Sequence, residues 1–241
     1  MRHVVLVGAT HGIGLALAHA YAERSWRVGL VGRSAPRVQE RVAEVRESYP
    51  GCLVAGGVLD VTRRAAVAPA LENVLVDLGQ MDLLVYCAGV MEEGRLGSAR
   101  MLDVNLLGAV DVLEWAAAHM VDVGSGRLAA IGSVAGDRGR RGNPVYGASK
   151  AGLHTYLEAL RHRLHPDGIG VSTIKPGWVR TRMLGEVPSV PPSVSASRAA
   201  ELIVKKLDRG RDEFYVPAWW WMISEILRTL PGPLYKRVAP S

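Results

Sequence analysis

Strand-length runs of Val, Leu and Ile recur along this chain, and a helix-length amphipathic stretch follows nearly every one. The runs are His3–Val7, Arg27–Val31, Cys52–Val58, Asp82–Cys87, Arg127–Ile131 and Gly170–Ile174. Between them the apolar spacing predicts helices near Ile13–Arg24, Pro36–Tyr49, Arg64–Leu78, Arg100–Val121 and Val145–Leu164. The runs are apolar throughout rather than at alternate positions, as expected of a parallel sheet covered on both faces. Such alternation restricts the chain to an α/β fold: a doubly wound parallel sheet of Rossmann type, helices on both faces, crossovers right-handed. The length of 241 residues suits a single domain. No linker interrupts the pattern before the proline-rich Glu186–Ser197. Beyond it, Ser195–Arg209 reads as a helix, Glu213–Val216 as a last strand and Ala218–Leu230 as a tryptophan-rich helix between Pro217 and Pro231.

Composition removes several function classes. At 49% hydrophobic and 22% charged residues, the chain can bury a core and is not disordered. Two cysteines, Cys52 and Cys87, cannot build a disulfide framework or a Cys-rich metal site. His162 and His165 have no third ligand nearby and read as a surface pair, so no metal is expected. The formal charge is +6, and 24 of the 29 basic residues are Arg, scattered among acidic residues. The densest cluster, Asp137–Gly142, reads as a solvated basic surface, and no nucleic-acid partner is expected. The start carries no signal-peptide pattern and no run of 18 uncharged apolar residues occurs. A cytoplasmic protein is expected, soluble or attached peripherally to the inner face of a membrane.

The first strand runs into Gly8-Ala9-Thr10-His11-Gly12-Ile13-Gly14 and then a helix. Glycines there let backbone approach a pyrophosphate, which the free N–H groups and dipole of the helix N-terminus attract. A purely structural tight turn would have the same composition; its place after strand one of an α/β pattern favours the dinucleotide. An acid that holds the adenosine ribose would stand about 20 residues further on. Gly32 occupies that place, followed by Arg33 and Ser34. Arg33 can pair with a 2′-phosphate through a charge-assisted fork and Ser34 can donate to it, which favours NADP(H) over NAD(H). The plainer reading makes Arg33 a surface arginine.

Ser133 follows the fifth strand, and Tyr146 and Lys150 stand four apart in the next helix, on one face. A free tyrosine titrates near about 10, and a neighbouring ammonium would draw it toward the working range. The serine hydroxyl could orient a carbonyl oxygen beside the phenol. The segment Gly132–Gly136 places its serine one position early for a hydrolase nucleophile elbow. Cys87 reads as a small buried hydrophobe.

These pieces together resemble the short-chain dehydrogenase/reductase family over nearly the whole chain. The matching segments are the glycine turn, Asp60-Val61, Ala88-Gly89, Asn105, Ser133, Tyr146-Gly-Ala-Ser-Lys150 and Pro176-Gly177-Trp178-Val179-Arg180-Thr181. The resemblance implies that Tyr146 is the general acid/base and that Lys150 lowers its pKa and binds the nicotinamide ribose. It implies that Ser133 positions the substrate oxygen and Asn105 holds a water of the proton relay. Asp60 and Val61 would contact adenine, Ala88 and Gly89 the adenosine ribose side, Ile13 the pyrophosphate, and Val179 and Thr181 the carboxamide and phosphate side, beside Pro176 and Gly177. Two departures, Val7 for the frequent threonine and Cys87 for the usual asparagine, fall on supports of the sheet. The segment from Gly89 to Asn105 is also short, which should alter one wall of the substrate cleft.

The expected protein is an NADP(H)-dependent oxidoreductase acting on the carbonyl or secondary alcohol of a partly apolar small molecule, as a homodimer or homotetramer. The alternatives are a 3-oxoacyl thioester reductase of lipid synthesis and a non-catalytic NADP(H)-sensing module. Residues 1–216 would form the catalytic domain, with a substrate lid near 182–197 carrying Met183, Leu184, Val187 and Val190. In the tail, 217–241, Trp219, Trp220, Met222, Ile223, Ile226, Leu227 and Leu230 would form an apolar face opposite Ser224, Glu225 and Arg228. That helix is too short to cross a bilayer. It would pack on its own domain or a second subunit, or lie on a membrane through 218–238.

Overall fold

The computed structural model describes residues 2–92, 94–184 and 193–238. Its first half runs β1 (His3–Val7), α1 (Gly12–Glu23), β2 (Arg27–Gly32), α2 (Ala35–Ser48), β3 (Val54–Val58), α3 (Val67–Leu78) and β4 (Leu83–Tyr86). It continues with α4 (Gly94–Leu102), α5 (Gly108–Val123), β5 (Arg127–Ile131), α6 (Pro144–Leu164) and β6 (Gly170–Pro176). After β6 come β7 (Val179–Arg180), β8 (Val194–Ser195), α7 (Ala196–Leu207), β9 (Glu213–Val216), α8 (Trp220–Thr229) and α9 (Gly232–Val238). Seven strands form one parallel sheet in the order β3-β2-β1-β4-β5-β6-β9, the doubly wound arrangement expected.

Each strand serves two cores. Val5 and Val7 point to the face covered by α3, α5 and α6, with Leu71, Leu113 and Leu157 behind them. Val4 and Leu6 point to the face covered by α1, α2 and α7, against Leu17, Val45 and Ile203. Both faces are therefore dry, which is why the strand runs show no alternation of apolar and polar residues. Chain order reverses between β1, which leads outward to β2, and β4, on the other side. A ligand crevice opens at the carboxyl ends of strands flanking such a switch point.

Three boundaries differ from expectation. The helix expected over Arg100–Val121 begins at Gly94 and carries a π-helical turn, Asp103–Leu107, between α4 and α5. Gly94 and Gly97, poor helix formers, hide its start in the sequence. The combined stretch Gly94–Val123 holds an 18-residue window with the mean hydropathy of a membrane span, but half of that window is buried in the protein. A 3-10 turn, Arg64–Ala66, precedes α3, whose Pro69 lies in the first turn where no N–H is missed. Of the expected lid, a 3-10 turn (Arg182–Leu184) and β8 are seen; Val187 and Val190 lie outside the described residues.

The tail continues past the expected helix into α9 and packs against the loops after β5 and β6. Trp220, 6% exposed, lies directly over Gly177: a Cβ there would come within 1.8 Å of the indole nitrogen. Ser224, assigned from sequence to the polar face, is buried one turn above Trp220, and Trp221, Met222 and Ile226 are the exposed apolar residues. The reason is size, since a small residue at i+4 lets the helix approach the loop that Trp220 covers. Arg138 donates to the carbonyls of Leu227 and Leu230, ends of α8 that have no helical partner, and stacks 3.8 Å from the Tyr235 ring centroid. Tyr235 donates to the Gly139 carbonyl at 2.7 Å.

Candidate active site

A cleft of about 780 Å³ follows the loops after β1 to β6. Its dinucleotide half is built on close backbone approach. Gly8 has φ +88° and a Cβ there would sit 2.4 Å from the Ala88 nitrogen, so only glycine lets the β1–α1 turn lie against the loop after β4. Gly8 and Ala9 both donate to the Val31 carbonyl, at 2.8 and 3.0 Å, which ties the turn to β2. Gly12 and Gly14 open α1, whose N-terminus has no side-chain cap and no acid in its first turn. Its free N–H groups and positive dipole end lie beside the cleft and suit an anion. Ile13, Ala88, Gly89, Val61, Pro176, Gly177, Val179 and Thr181 line the same space, with Thr181 in van der Waals reach of Gly12. A pyrophosphate-linked dinucleotide fits this cradle.

At the adenosine end, Gly32 leaves no room for an acid, because a Cβ would meet Thr10 Cγ2 at 2.5 Å. Arg33 is exposed at the rim of the cleft. Ser34, expected beside it, is instead the N-cap residue of α2 and does not line the cleft. Asp60 accepts from the Thr62 backbone and hydroxyl; these bonds, with Arg33 and Arg63, outweigh burial and hold its carboxyl below the usual range. Two arginines that the sequence did not single out stand by His11: Arg37 Nη1 at 3.4 Å and Arg182 Nη1 at 3.5 Å from its Nε2. Burial first, then these guanidiniums, lower the His11 pKa. This end is basic.

The other half gathers Ser133, Tyr146 and Lys150. Asn143 caps α6 by accepting from the Tyr146 N–H at 3.0 Å, and Pro144 sets the first turn. Lys150, 3% exposed, donates from Nζ to the Ile131 carbonyl at 2.8 Å. Burial pushes its ammonium down to about 8. Tyr146 differs from expectation: burial raises its phenol, and the groups that oppose this are the Ser133 hydroxyl and the Arg140 charge. Lys150 Nζ stands 5.9 Å from the Tyr146 ring centroid, turned toward Ile131. Asn105, fully buried in the π-helical turn, accepts through Oδ1 from the Val90 N–H and donates from Nδ2 to the Val90 carbonyl and Ser149 Oγ. Its amide thus fixes the loop after β4 and does not line the cleft.

Behind Ser133 lies a polar cluster that no motif announced. His154 Nε2 accepts from the Ser133 N–H at 3.3 Å, and Asp137 pairs with Lys175 at 2.9 Å in a site only 4% and 6% exposed. Burial, then the Lys175 charge, push the His154 imidazole down to about 3, which keeps Nε2 an acceptor. Gly132 and Gly136 pack on this ring, where a Cβ would meet it at 2.3 and 2.7 Å. The two departures noted at Val7 and Cys87 are bridged by backbone, the Cys87 N–H donating to the Val7 carbonyl at 2.7 Å. Burial pushes the Cys87 thiol up to about 12, so it acts as a small hydrophobe.

Lys150 costs the fold stability. Its folded pKa of about 8 lies below the unfolded value of about 10.4, so the unfolded chain binds more protons between the two and stability rises with pH there. Lys150→Met should stabilise the protein at pH 7 by about 2 kcal/mol, after allowing for the lost hydrogen bond. Denaturant midpoints measured at pH 7 and pH 10 should show that gain shrinking at the higher pH.

A model of the short chain dehydrogenase family matches residues 2–190. An uncharacterised oxidoreductase of Myxococcus xanthus (strain DK1622) is 32% identical over 245 residues, covering 99% of this chain and 96% of its own. Among solved structures, the short-chain dehydrogenase from Sphingobium yanoikuyae in complex with NADPH superposes with a TM-score of 0.81 at 26% identity, over 95% of this chain and 93% of that one. The alcohol dehydrogenase from the archaeon Thermococcus sibiricus, complexed with 5-hydroxy-NADP, gives a TM-score of 0.80 at 25% identity, over 89% and 95%. With the family pattern matched across most of its length and the fold superposing on solved short-chain dehydrogenases, the chain belongs to the short-chain dehydrogenase family and is an oxidoreductase.

Proposed function

We propose that the protein reduces a carbonyl, or oxidises a secondary alcohol, on a partly apolar substrate with NADP(H), Tyr146 serving as general acid/base. The observation that carries this reading is the phenol of Tyr146 in the cleft that also holds Ser133, Lys150 and the glycine cradle. Burial raises that phenol, which so keeps its proton until a more basic developing alkoxide takes it. The bound nicotinamide supplies the hydride. Ser133 Oγ, positioned through the Ala135 and Ser133 backbone bonds, would orient the substrate oxygen beside the phenol. Lys150, anchored on Ile131, would hold the nicotinamide ribose and, once turned from that carbonyl, stabilise the phenolate. Val90, Met91, Val134, Trp178 and Met183 supply apolar walls for the substrate.

Tyr146→Phe should bind NADPH normally and lose most turnover in both directions, since only the phenolic oxygen is removed. Near-normal kcat in a stopped-flow assay of NADPH consumption would refute the role.

Preference for NADPH rests on the space closed at Gly32 and on Arg33, Arg37 and Arg182, the last two beside His11. Arg33→Ala should weaken NADPH about 10- to 100-fold, the worth of one charge-assisted hydrogen bond, and change NADH far less. Fluorescence titrations with both cofactors measure the difference.

The outward face of α8, with Trp221, Met222 and Ile226 each more than half exposed, suits a membrane surface, flanked by Arg228 and Lys236. Trp221→Ser combined with Ile226→Ser should abolish co-sedimentation with anionic vesicles at low salt while leaving the buried Trp220 in place. Intact protein that stays in the supernatant would remove the membrane from this reading.

A further inference from the structure

The DRGRRG cluster, read from sequence as solvated surface, divides its three arginines between two tasks. Arg138 ties down α8, and Arg141 donates to the Lys236 carbonyl of α9. Arg140 turns the other way and lines the cleft. Among the described residues its guanidinium makes one protein hydrogen bond, Nη2 to the Val134 carbonyl at 3.2 Å. Among the described residues no carboxylate lies within 4.0 Å of it. Arg100, in the same cleft, is by contrast neutralised by Glu92 at 2.9 Å. Arg33 and Arg182 belong to the dinucleotide half.

A guanidinium has five N–H donors in a planar fork. Holding one half-buried against apolar walls with a single protein acceptor is unfavourable, as the lowered pKa that burial gives Arg140 also indicates. An arriving anion would satisfy the remaining donors and offset that cost. Its bond to Val134, the residue after Ser133, and its place in the cleft with Tyr146 set it beside the reacting carbonyl rather than at the distant adenosine end.

We propose that Arg140 recognises a substrate carboxylate, and that the substrate is an oxo acid with an apolar body. The inference rests on the carbonyl-reductase reading above and narrows it. The carbonyl would lie between Ser133 and Tyr146, the carboxylate against the Arg140 fork, and the apolar body along Val134, Trp178 and Met183. Bidentate pairing is specific to arginine, so lysine would reproduce it only in part.

The test compares aryl 2-, 4- and 5-oxo acids with their methyl esters, on the wild type, Arg140→Gln and Arg140→Lys. NADPH consumption gives kcat/KM, and calorimetry on the NADP⁺-loaded protein gives affinity. At least one wild-type acid should exceed its ester by about 10- to 100-fold. That ratio should fall to near one in Arg140→Gln and recover partly in Arg140→Lys. Because the ratio is internal to each protein, a general loss of activity does not imitate the result. If Arg140→Gln fails to fold, the wild-type ratio still decides. Acids and esters bound and turned over alike, neither bound at all, or a preference that survives in Arg140→Gln would each overturn the proposal. Esters reduced through Tyr146 as fast as acids would sink the anion site and leave the reductase reading standing. Acids bound through Arg140 but never reduced would uphold the site and sink that reading.

Discussion

Every strand of the main sheet runs in one direction, the central ones are buried on both faces, and the rest of the molecule depends on that constraint. Side chains within β1, β4 and β5 are committed alternately to two apolar cores, so no reactive group can stand there. Parallel pairing also brings all the carboxyl ends to one edge, where loops are free of both cores. The glycine turn, the arginine rim and the Ser133–Tyr146–Lys150 group occupy that edge because it is where polar chemistry can be hydrated or paired. Close contact of the turn with Ala88 then makes the edge one continuous cleft.

The two cations nearest Ser133 and Tyr146 are held by backbone rather than by opposite charge. Lys150 rests on the carbonyl of Ile131, the last residue of β5, and Arg140 on that of Val134 in the turn that follows. A cation held by a neutral acceptor keeps its field available for a ligand, whereas one paired like Lys175 with Asp137 is spent on structure. The two kinds of site lie on opposite sides of Ser133. His154 separates them, neutral and donating no charge to either.

The strands were legible because two-sided burial writes an apolar run of definite length. Arg127–Ile131 and His3–Val7 needed no correction. The glycine turn and the Tyr146/Lys150 spacing were legible because they are local: neighbours in sequence remain neighbours in space. Arg37, Arg182 and His154 were not, since each acts across a loop or sheet edge joined to its partner only by the fold. Arg140 was hidden differently. Three arginines in four residues look alike in sequence, and only the packing of α8 and α9 decides which of them turn outward. Asn105 was legible as a site residue, but not the bracing of Val90 by its amide, which the π-helical turn sets.

Trp220 covering Gly177 makes the last part of the chain a structural component of a loop completed much earlier in synthesis. The glycine turn, by contrast, is held by Val31 and Ala88, both from the first half of the chain. Loss of the residues from Trp220 onward would therefore unseat the Gly177 wall of the cleft and leave the contacts that shape its dinucleotide end in place.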